Sequence, residues 1–288
     1  IITAAPVVSA IAVSAGTGNN VYSNHITNIS VGAATSSASP VIDGILISGG
    51  TSTNLYKNKI QGISSLCTGS TGVTNGIRIS GGITNQVYNN VIGNLTASAS
   101  TSTDAIRGIS ITSTIANSTN NVYNNTVYIT GAGGTNFGSS GIYHAASATS
   151  TTAALNIQNN MVFNTCTPNG SGVVTAFRRN AAATLGNYAS TSNKNLFYAG
   201  TPSATATIMS DGTNNYQTMS SFQTAVSTRE VNSITEPTFD PATYFVSTTG
   251  SNANFLQPAS GLNTQAESGG NTIAICSPDY NGVARPAN

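Results

Sequence analysis

Two carboxylates, Asp43 and Asp104, are the acidic residues of positions 1–200. Glycoside hydrolysis normally requires a pair of carboxylates roughly 5 to 9.5 Å apart on one surface. Asp43 directly precedes a glycine, whereas Asp104 lies four residues before one, so we expect the two side chains in different neighbourhoods. Calcium-assisted elimination would need a cluster of acids, which this region does not contain. The sequence therefore predicts no catalytic residues.

A second group of side chains, Tyr143, His144 and Arg178, could form a small polar pocket. His144 and Arg179 stand where other parts of the chain carry an inward-pointing Ile. A buried His is usually a satisfied core residue, and an inward Arg indicates a coil that is ending or opening. The pocket remains the alternative, and without a carboxylate partner it is not predicted to be catalytic.

A third group is a column of tyrosines, Tyr22, Tyr56, Tyr88 and Tyr123. The residue before each is Val or Leu, and if that residue points inward, strand alternation turns the ring outward. A row of exposed aromatic rings would suit another subunit or a glycan. The alternative is that the rings only stack on one another and stabilise the fold.

The elements that position these groups are six copies of one template, such as Val87-Tyr-Asn-Asn90-Val-Ile92. Its second asparagine recurs with spacings of 34, 32, 35, 35 and 35 residues. A fixed period of this size is typical of a solenoid. We expect these asparagines at a strand-to-strand bend, because Asn tolerates the left-handed region, and we expect them to stack as an interior amide ladder. They are Asn24, Asn58, Asn90, Asn125, Asn160 and Asn195.

A Gly-Ile motif keeps step with the asparagines, starting at Gly44, Gly76, Gly108 and Gly141. Each repeat thus offers three short strand-like runs joined by polar turns. The sequence predicts an all-β fold, a right-handed parallel β-helix of about six three-strand coils in residues 1–200. Residues 201–288 are predicted to be an irregular capping or extension segment packed on that helix.

Composition excludes several partners. Charged residues make up 6% of the chain and the net charge is +1, whereas about 25% charged residues is usual. Positions 1–200 carry seven Lys or Arg, too few and too scattered for nucleic acid. No stretch approaches the roughly 20 apolar residues of a membrane span. Cys67, Cys166 and Cys276 show no metal-ligand spacing, so we expect buried thiols, no metal and no cofactor.

Low-complexity stretches rich in Ser, Thr, Ala and Gly separate the repeats, for example at 97–103. We expect them at one corner of the coil, as solvated loops or as a binding surface. The chain starts inside strand-like residues such as Val7 and Val8, without a Met or a signal region. This start suggests a mature form or a segment of a longer protein, with a first coil that another chain or an upstream segment covers.

The Asn-x-hydrophobic repeat with its Gly-Ile-x-Ile strands resembles the right-handed parallel β-helix repeat family over roughly residues 8–200. Positions 221–288, including Ser221-Phe-Gln-Thr-Ala-Val and Asp279-Tyr-Asn-Gly, resemble the C-terminal tail of such domains in secreted bacterial proteins. The resemblance implies an extracellular or cell-surface location. The hypothesis is a non-catalytic structural or adhesive module, as part of an extracellular fibre or appendage, whose partners are copies of itself, further segments of a longer protein, or glycans. The alternative is a carbohydrate-binding or polysaccharide-degrading β-helix.

Overall fold

The computed structural model describes residues 5–181, 184–262, 264–266 and 269–285. Short strands repeat along the chain, and each coil returns to the same place one repeat later. The first three coils contain four strands each: β1 (Val7–Val13), β2 (Asn19–Tyr22), β3 (His25–Ile26), β4 (Ile29–Val31), β5 (Val41–Ile47), β6 (Ser52–Tyr56), β7 (Lys59–Ile60), β8 (Ile63–Ser65), β9 (Val73–Ile79), β10 (Thr84–Tyr88), β11 (Val91–Gly93) and β12 (Leu95–Thr96).

The later coils have fewer and longer strands, followed by short helices in the C-terminal part. These elements are β13 (Ile106–Ile111), β14 (Thr119–Tyr123), β15 (Thr126–Gly131), β16 (Ser139–His144), β17 (Ala154–Gln158), β18 (Met161–Cys166), β19 (Val174–Arg179), β20 (Leu196–Tyr198), β21 (Ala206–Ser210), β22 (Asn215–Tyr216), α1 (Met219–Val226), α2 (Pro241–Tyr244) and a 3-10 helix (Ala274–Cys276).

The strands form stacked sheets in which each strand pairs with its equivalent in the next coil. The first sheet has the order β1-β5-β9-β13-β16-β19-β21-β22, the second β17-β14-β10-β6-β2, and the third β20-β18-β15-β11-β7-β3. Pairing is parallel throughout these three sheets except between β21 and β22. The chain is therefore a parallel β-helix of about six coils, and the predicted fold class is confirmed.

A fourth sheet, β12-β8-β4, is an addition to the expected three strands per coil. In the first three coils the run after the ladder asparagine is broken by a left-handed residue: Asn28 (φ 60°), Gly62 (φ 64°) or Asn94 (φ 51°). A left-handed residue bends a strand sharply, so one predicted strand becomes two. From the fourth coil onward the run continues without this bend, as β15 and β18.

The interior is filled by columns of stacked aliphatic side chains. Ile45, Ile77, Ile109 and Ile142 pair successively across the first sheet and are all fully buried. The glycine before each of them is required by close packing. A Cβ on Gly108 would lie 2.5 Å from the carbonyl oxygen of Gly141 and 2.3 Å from Val127 Cγ1. The Gly-Ile motif therefore marks where the strand passes closest to its neighbours.

The two ends of the solenoid differ. At the C-terminal end, α1 places Phe222 and Val226 in the core, and Phe222 packs against Phe177 and Phe197. Thr218 caps this helix by accepting from the backbone N–H of Ser221. At the other end, the outer edges of β1, β2, β3 and β4 pair with no strand in the described part of the chain.

The C-terminal segment (residues 236–285) runs back over the outside of the third sheet. It forms a second apolar cluster, in which Phe239 stacks on Phe163 at 4.2 Å and Phe245 lies 5.8 Å from Tyr128. Further along, the backbone oxygen of Asn252 accepts from Lys59 Nζ at 2.5 Å. The segment thus reaches from the sixth coil to the second.

Candidate functional site

The six repeated asparagines form an inner amide ladder along the solenoid axis. Each Nδ2 donates to the Oδ1 of the next asparagine at 2.9 to 3.0 Å. Each backbone N–H donates to the same oxygen at 3.0 to 3.1 Å. The hydrogen bonds between the asparagines therefore all run toward the C-terminal end, as expected of a stacked column. From the second asparagine onward, each Nδ2 also donates to a backbone carbonyl of the preceding coil. Its members are Asn24, Asn58, Asn90, Asn125, Asn160 and Asn195.

The bend itself is made by the residue before each ladder asparagine, which corrects the expectation that the ladder asparagine is left-handed. The φ angles of Asn89, Asn124 and Asn159 are 53°, 52° and 57°, and Ser23, Lys57 and Lys194 share this conformation. The left-handed residue turns its side chain outward, and the following asparagine then points inward. The sequence placed the ladder at the second position, but it did not show that the residue before it, which is Asn in three repeats and Ser or Lys in the others, makes the bend.

The inner ladder ends at Glu230, a residue that the repeat search missed. Asn195 Nδ2 donates to Glu230 Oε2 at 2.9 Å and to Oε1 at 3.2 Å. Tyr188 and Ser233 donate their hydroxyls to the same carboxyl group. Burial is the main cause that raises the pKa of Glu230, against these hydrogen bonds, which lower it. The signal was present in the spacing, because Glu230 follows Asn195 by 35 residues.

The predicted tyrosine column forms in part. Tyr22, Tyr56 and Tyr88 stack with centroid distances of 4.9 and 5.0 Å and nearly parallel rings. Tyr123 is in register with Tyr88, but its hydroxyl is held by Asn121 and Asn156. Exposure falls from 53% at Tyr22 to 8% at Tyr88, and burial raises the pKa of Tyr88 to about 12. The column is therefore not uniformly exposed.

The grouping of Tyr143, His144 and Arg178 as one pocket is not what the structure shows, because the strands turn them to opposite sides. His144 points into the solenoid, where it is fully buried. Its Nδ1 accepts from Arg179 Nη1 at 2.8 Å, and its Nε2 donates to the carbonyl of Ala153 at 3.0 Å. Burial and the nearby Arg179 lower the pKa of His144 to about 3. The histidine is a neutral core residue.

Arg179 closes the interior column that contains His144. Its Nη2 donates to Asn187 Oδ1 at 2.9 Å and to the carbonyl of Thr184. Its Nε lies in the interior without a hydrogen-bond partner among the described residues, and burial lowers the pKa of Arg179 to about 10. It borders a cavity of about 160 Å³ that Asp211 also lines. This polar part of the core lies in the sixth coil, next to β21 and α1.

Tyr143 and Arg178 lie outside, on the outer face of the first sheet, together with both carboxylates of the coils. Asp104 is 2.7 Å from Arg107 Nε and 3.3 Å from Arg178 Nε, and the Arg107 guanidinium stacks 3.6 Å above the Tyr143 ring. Asp43 is fully buried and receives two bonds from Arg78. Asp43 and Asp104 thus lie on the same face of the sheet but in different neighbourhoods, as expected, and each is paired with its own arginine side chains. This face is a set of ion pairs.

A crevice of about 750 Å³ lies between the corner of the coils and the C-terminal segment. One wall is the outer amide row, which we define as Asn89, Asn124 and Asn159. The base is a column of Val91, Thr126, Met161 and Leu196, paired in register. Gln265, Asn271 and Tyr280 line the opposite side. The crevice presents amide groups above a largely apolar base, and sequence reasoning did not find it.

The C-terminal segment is bound to both ends of the outer amide row. Asn159 exchanges two hydrogen bonds with the backbone of Asn271, at 2.8 and 2.9 Å. Asn89 donates to the carbonyl oxygens of Cys276 and Pro278 and accepts from Arg285. The contacts to Asn89 also explain why the neighbouring Tyr88 is covered.

The three cysteines are the remaining candidate groups from the sequence. Cys67, Cys166 and Cys276 are buried, unpaired thiols, as expected, and burial raises the pKa of Cys166 and of Cys276 to about 12. Within the described residues, no group of three or more His, Cys, Asp or Glu side chains could hold a metal ion. No helix in the described ranges is long and apolar enough to cross a membrane.

The class that the fold defines is a parallel β-helix with an inner asparagine ladder. Comparison with known proteins finds no family model, no curated protein and no solved structure that matches the chain. Function must therefore be argued from the surfaces of this molecule.

Proposed function

We propose that the chain is a non-catalytic structural or adhesive module of a secreted cell-surface protein, and that it takes part in an extracellular fibre or appendage. The observation that carries the proposal is the open end of the solenoid. There the four strands of the first coil, β1 to β4, are the end strands of the four sheets, and their outer edges pair with no strand in the described residues. Unpaired edges invite the addition of further strands.

The chemistry of this end supports the same proposal. Val8, Ile11 and Val13 are only partly buried against the core, and Tyr22 is 53% exposed. Asn24 uses its donors toward Asn58, so its Oδ1 points toward the open end as an acceptor for another rung. Because α1 closes the opposite end, copies that stack through their cores would meet at this one end. The partner is then a second copy or a further segment of a longer protein.

The test is the association state of the purified chain, measured by sedimentation and by negative-stain electron microscopy. We expect concentration-dependent association through the open end. Val7→Lys places a charge on the edge strand, where Val7 is 59% exposed, and should weaken the association without unfolding the chain. Val231→Lys, at the capped end, is the matched control because Val231 is 55% exposed.

Two results would contradict the proposal. One is a wild-type chain that stays monomeric at high concentration with the first coil ordered. The other is turnover of an acidic polysaccharide, which would support the polysaccharide-degrading alternative.

A further inference from the structure

Three asparagines of the chain are followed directly by glycine: Asn75, Asn169 and Asn281. In such a pair the peptide nitrogen of the glycine can attack the side-chain Cγ of the asparagine, because glycine has no side chain that shields this nitrogen. The attack closes a succinimide ring and releases ammonia, and water then opens the ring to aspartate or isoaspartate. The local structure of each pair decides whether the reaction can occur.

Asn169 begins a tight turn at the corner that precedes β19. The backbone N–H of Gly172 donates to the carbonyl oxygen of Asn169 at 3.0 Å and closes this turn. Gly170 lies in the left-handed region with φ 55°, which favours glycine. A Cβ added to Gly170 would also overlap the carbonyl oxygen of Thr135 in the preceding coil. The stacking of the coils therefore requires glycine directly after Asn169.

Both reacting groups of this pair are accessible. Asn169 and Gly170 are exposed, and the backbone N–H of Gly170 donates to no atom of the described residues. The nitrogen can therefore lose its proton without breaking a hydrogen bond, and the asparagine side chain can rotate toward it without leaving a packed site. The turn is held by its other groups, since the N–H of Asn169 donates to the carbonyl of Phe137 at 3.0 Å and the N–H of Ser171 donates to Asn136 Oδ1 at 3.2 Å.

The pair at Asn75 has the opposite environment. Asn75 lies within β9, which pairs with β5 on one side and β13 on the other, and its side chain is buried. Its Nδ2 donates to Asp43 Oδ1 at 3.0 Å, which fixes the side chain. Attack by the nitrogen of Gly76 would require the strand to open first, so only locally unfolded molecules can react at this pair.

Asn281 is an intermediate case. Its side chain is exposed, but the N–H of Gly282 donates to the carbonyl oxygen of Asp279 at 3.2 Å. The carboxylate of Asp279 accepts from the N–H of Val283, the next peptide group along the chain, at 2.8 Å. A negative charge at this place opposes the loss of a proton from the nitrogen of Gly282. We therefore expect Asn281 to react more slowly than Asn169 and faster than Asn75.

We propose that Asn169 is a site of spontaneous deamidation in the folded protein, and that the stacked coils protect Asn75 from the same reaction. The new bond joins the nitrogen of Gly170 to Cγ of Asn169, the bond from Cγ to Nδ2 breaks, and the proton of the Gly170 N–H leaves with the ammonia. Water then supplies the oxygen and the hydrogens that open the ring. The resulting carboxyl group ionises at neutral pH and lowers the net charge of the chain by one unit. The inference does not depend on association through the open end.

The test is incubation of the full chain at neutral and at mildly alkaline pH, both folded and unfolded in urea, followed by tryptic digestion and mass spectrometry. Trypsin releases the three pairs in separate peptides, because it cleaves after Lys59, Arg78, Arg107, Arg178 and Arg229. In the unfolded chain we expect similar rates at all three pairs. In the folded chain Asn169 should react at least about tenfold faster than Asn75, which corresponds to about 1.4 kcal/mol in activation free energy. The rate at Asn169 should rise with pH, because the attacking nitrogen must lose its proton.

Ion-exchange chromatography of the intact folded protein gives a second measurement. Asn169→Gln should remove the main acidic product, since glutamine would have to close a larger ring. Asn281→Gln is the matched control and should leave that product in place. The proposal would be overturned if Asn169 of the folded chain did not react in the time in which the unfolded chain does, or if Asn75 and Asn169 reacted equally fast in the folded chain. An unchanged acidic product in Asn169→Gln would overturn it as well.

Discussion

Asn195 and Glu230 are hydrogen-bonded 35 residues apart, at the repeat distance of the solenoid, so that a carboxyl group occupies the seventh position of the inner amide ladder. An amide in this position would add donors that need another acceptor, whereas a carboxylate accepts only. Glu230 therefore terminates the column of donors that starts at Asn24. The backbone N–H of Asn195 is satisfied separately by the hydroxyl of Ser233 at 2.9 Å.

Glu230→Gln tests this ending. The amide nitrogen cannot accept from the hydroxyls of Tyr188 and Ser233, whereas both oxygens of a carboxyl group can, even when it is protonated. We therefore expect a loss of about 1 to 3 kcal/mol in the free energy of unfolding at low pH. The raised pKa of Glu230 means that the folded state favours the protonated form. Its contribution to stability is therefore present at low pH and is lost as the pH rises through the folded pKa. The difference in the free energy of unfolding between wild type and Glu230→Gln should therefore become smaller as the pH rises through the folded pKa.

Urea unfolding of both proteins at several pH values measures this difference. Glu236→Gln is the control, because both donors to Glu236, from Thr264 and Gln265, reach the same oxygen, which glutamine retains. The role of Glu230 would be refuted if Glu230→Gln lost no more free energy of unfolding than Glu236→Gln. It would also be refuted if the difference in free energy between wild type and Glu230→Gln became larger with increasing pH.

His144→Asn should remove a pH dependence of stability. The unfolded chain binds a proton at this histidine below its ordinary pKa of 6.5, but the folded chain does not until about pH 3. Stability should therefore fall as the pH decreases through this window, by about 1.4 kcal/mol per pH unit from this one group. Asparagine keeps an acceptor for Arg179 without titrating. In the variant the slope between pH 6 and pH 4 should be shallower by this amount.

The control for that measurement is His25→Asn, which should keep the wild-type slope because His144 remains in place. His25 lies on the exposed side of the third sheet. Identical slopes for wild type and His144→Asn would show that His144 is not kept neutral by the fold.

Asn90→Leu should interrupt the inner amide ladder at its middle. The exchange leaves the Nδ2 and the backbone N–H of Asn58 without their acceptor, and it also removes the donor to the carbonyl of Leu55. At about 1 to 3 kcal/mol for each buried unpaired group, we expect a loss of several kcal/mol. Asn54→Leu, on the outer face of β6 with one exposed hydrogen bond, should cost less than about 1 kcal/mol. Equal melting temperatures of the two variants would contradict the ladder's role in stability.

Gly108→Ala should destabilise the fourth coil, because the added Cβ would overlap the Gly141 carbonyl and Val127. Overpacking of this kind costs about 1 to 3 kcal/mol. A Cβ added at Gly18 would meet no described atom within 4 Å, and Gly18→Ala is therefore the control. Chemical denaturation of both variants measures the difference, and a Gly108→Ala protein as stable as the control would show that the coils can move apart.

The sequence by itself determined the repeated part of this protein. The period predicted the parallel pairing, because residues one repeat apart must meet when the coils stack, as Ile77 meets Ile109. Asparagine and glycine at fixed steps predicted the inner amide ladder and the closest contacts between coils. These features depend on one small set of contacts repeated along the chain, and the signal adds up over the copies.

The tertiary structure alone decided the surfaces. The C-terminal segment contacts residues more than 100 positions away, such as Asn159 with Asn271, and no periodic pattern indicates such a contact. Its course buries Tyr88, leaves Tyr22 exposed and forms the crevice at Asn124. The side of the sheet on which Tyr143 and His144 emerge likewise follows from the packing of the whole coil. Contacts that occur once, between distant residues, leave no statistical trace in a single sequence, because only the folded chain brings those residues together.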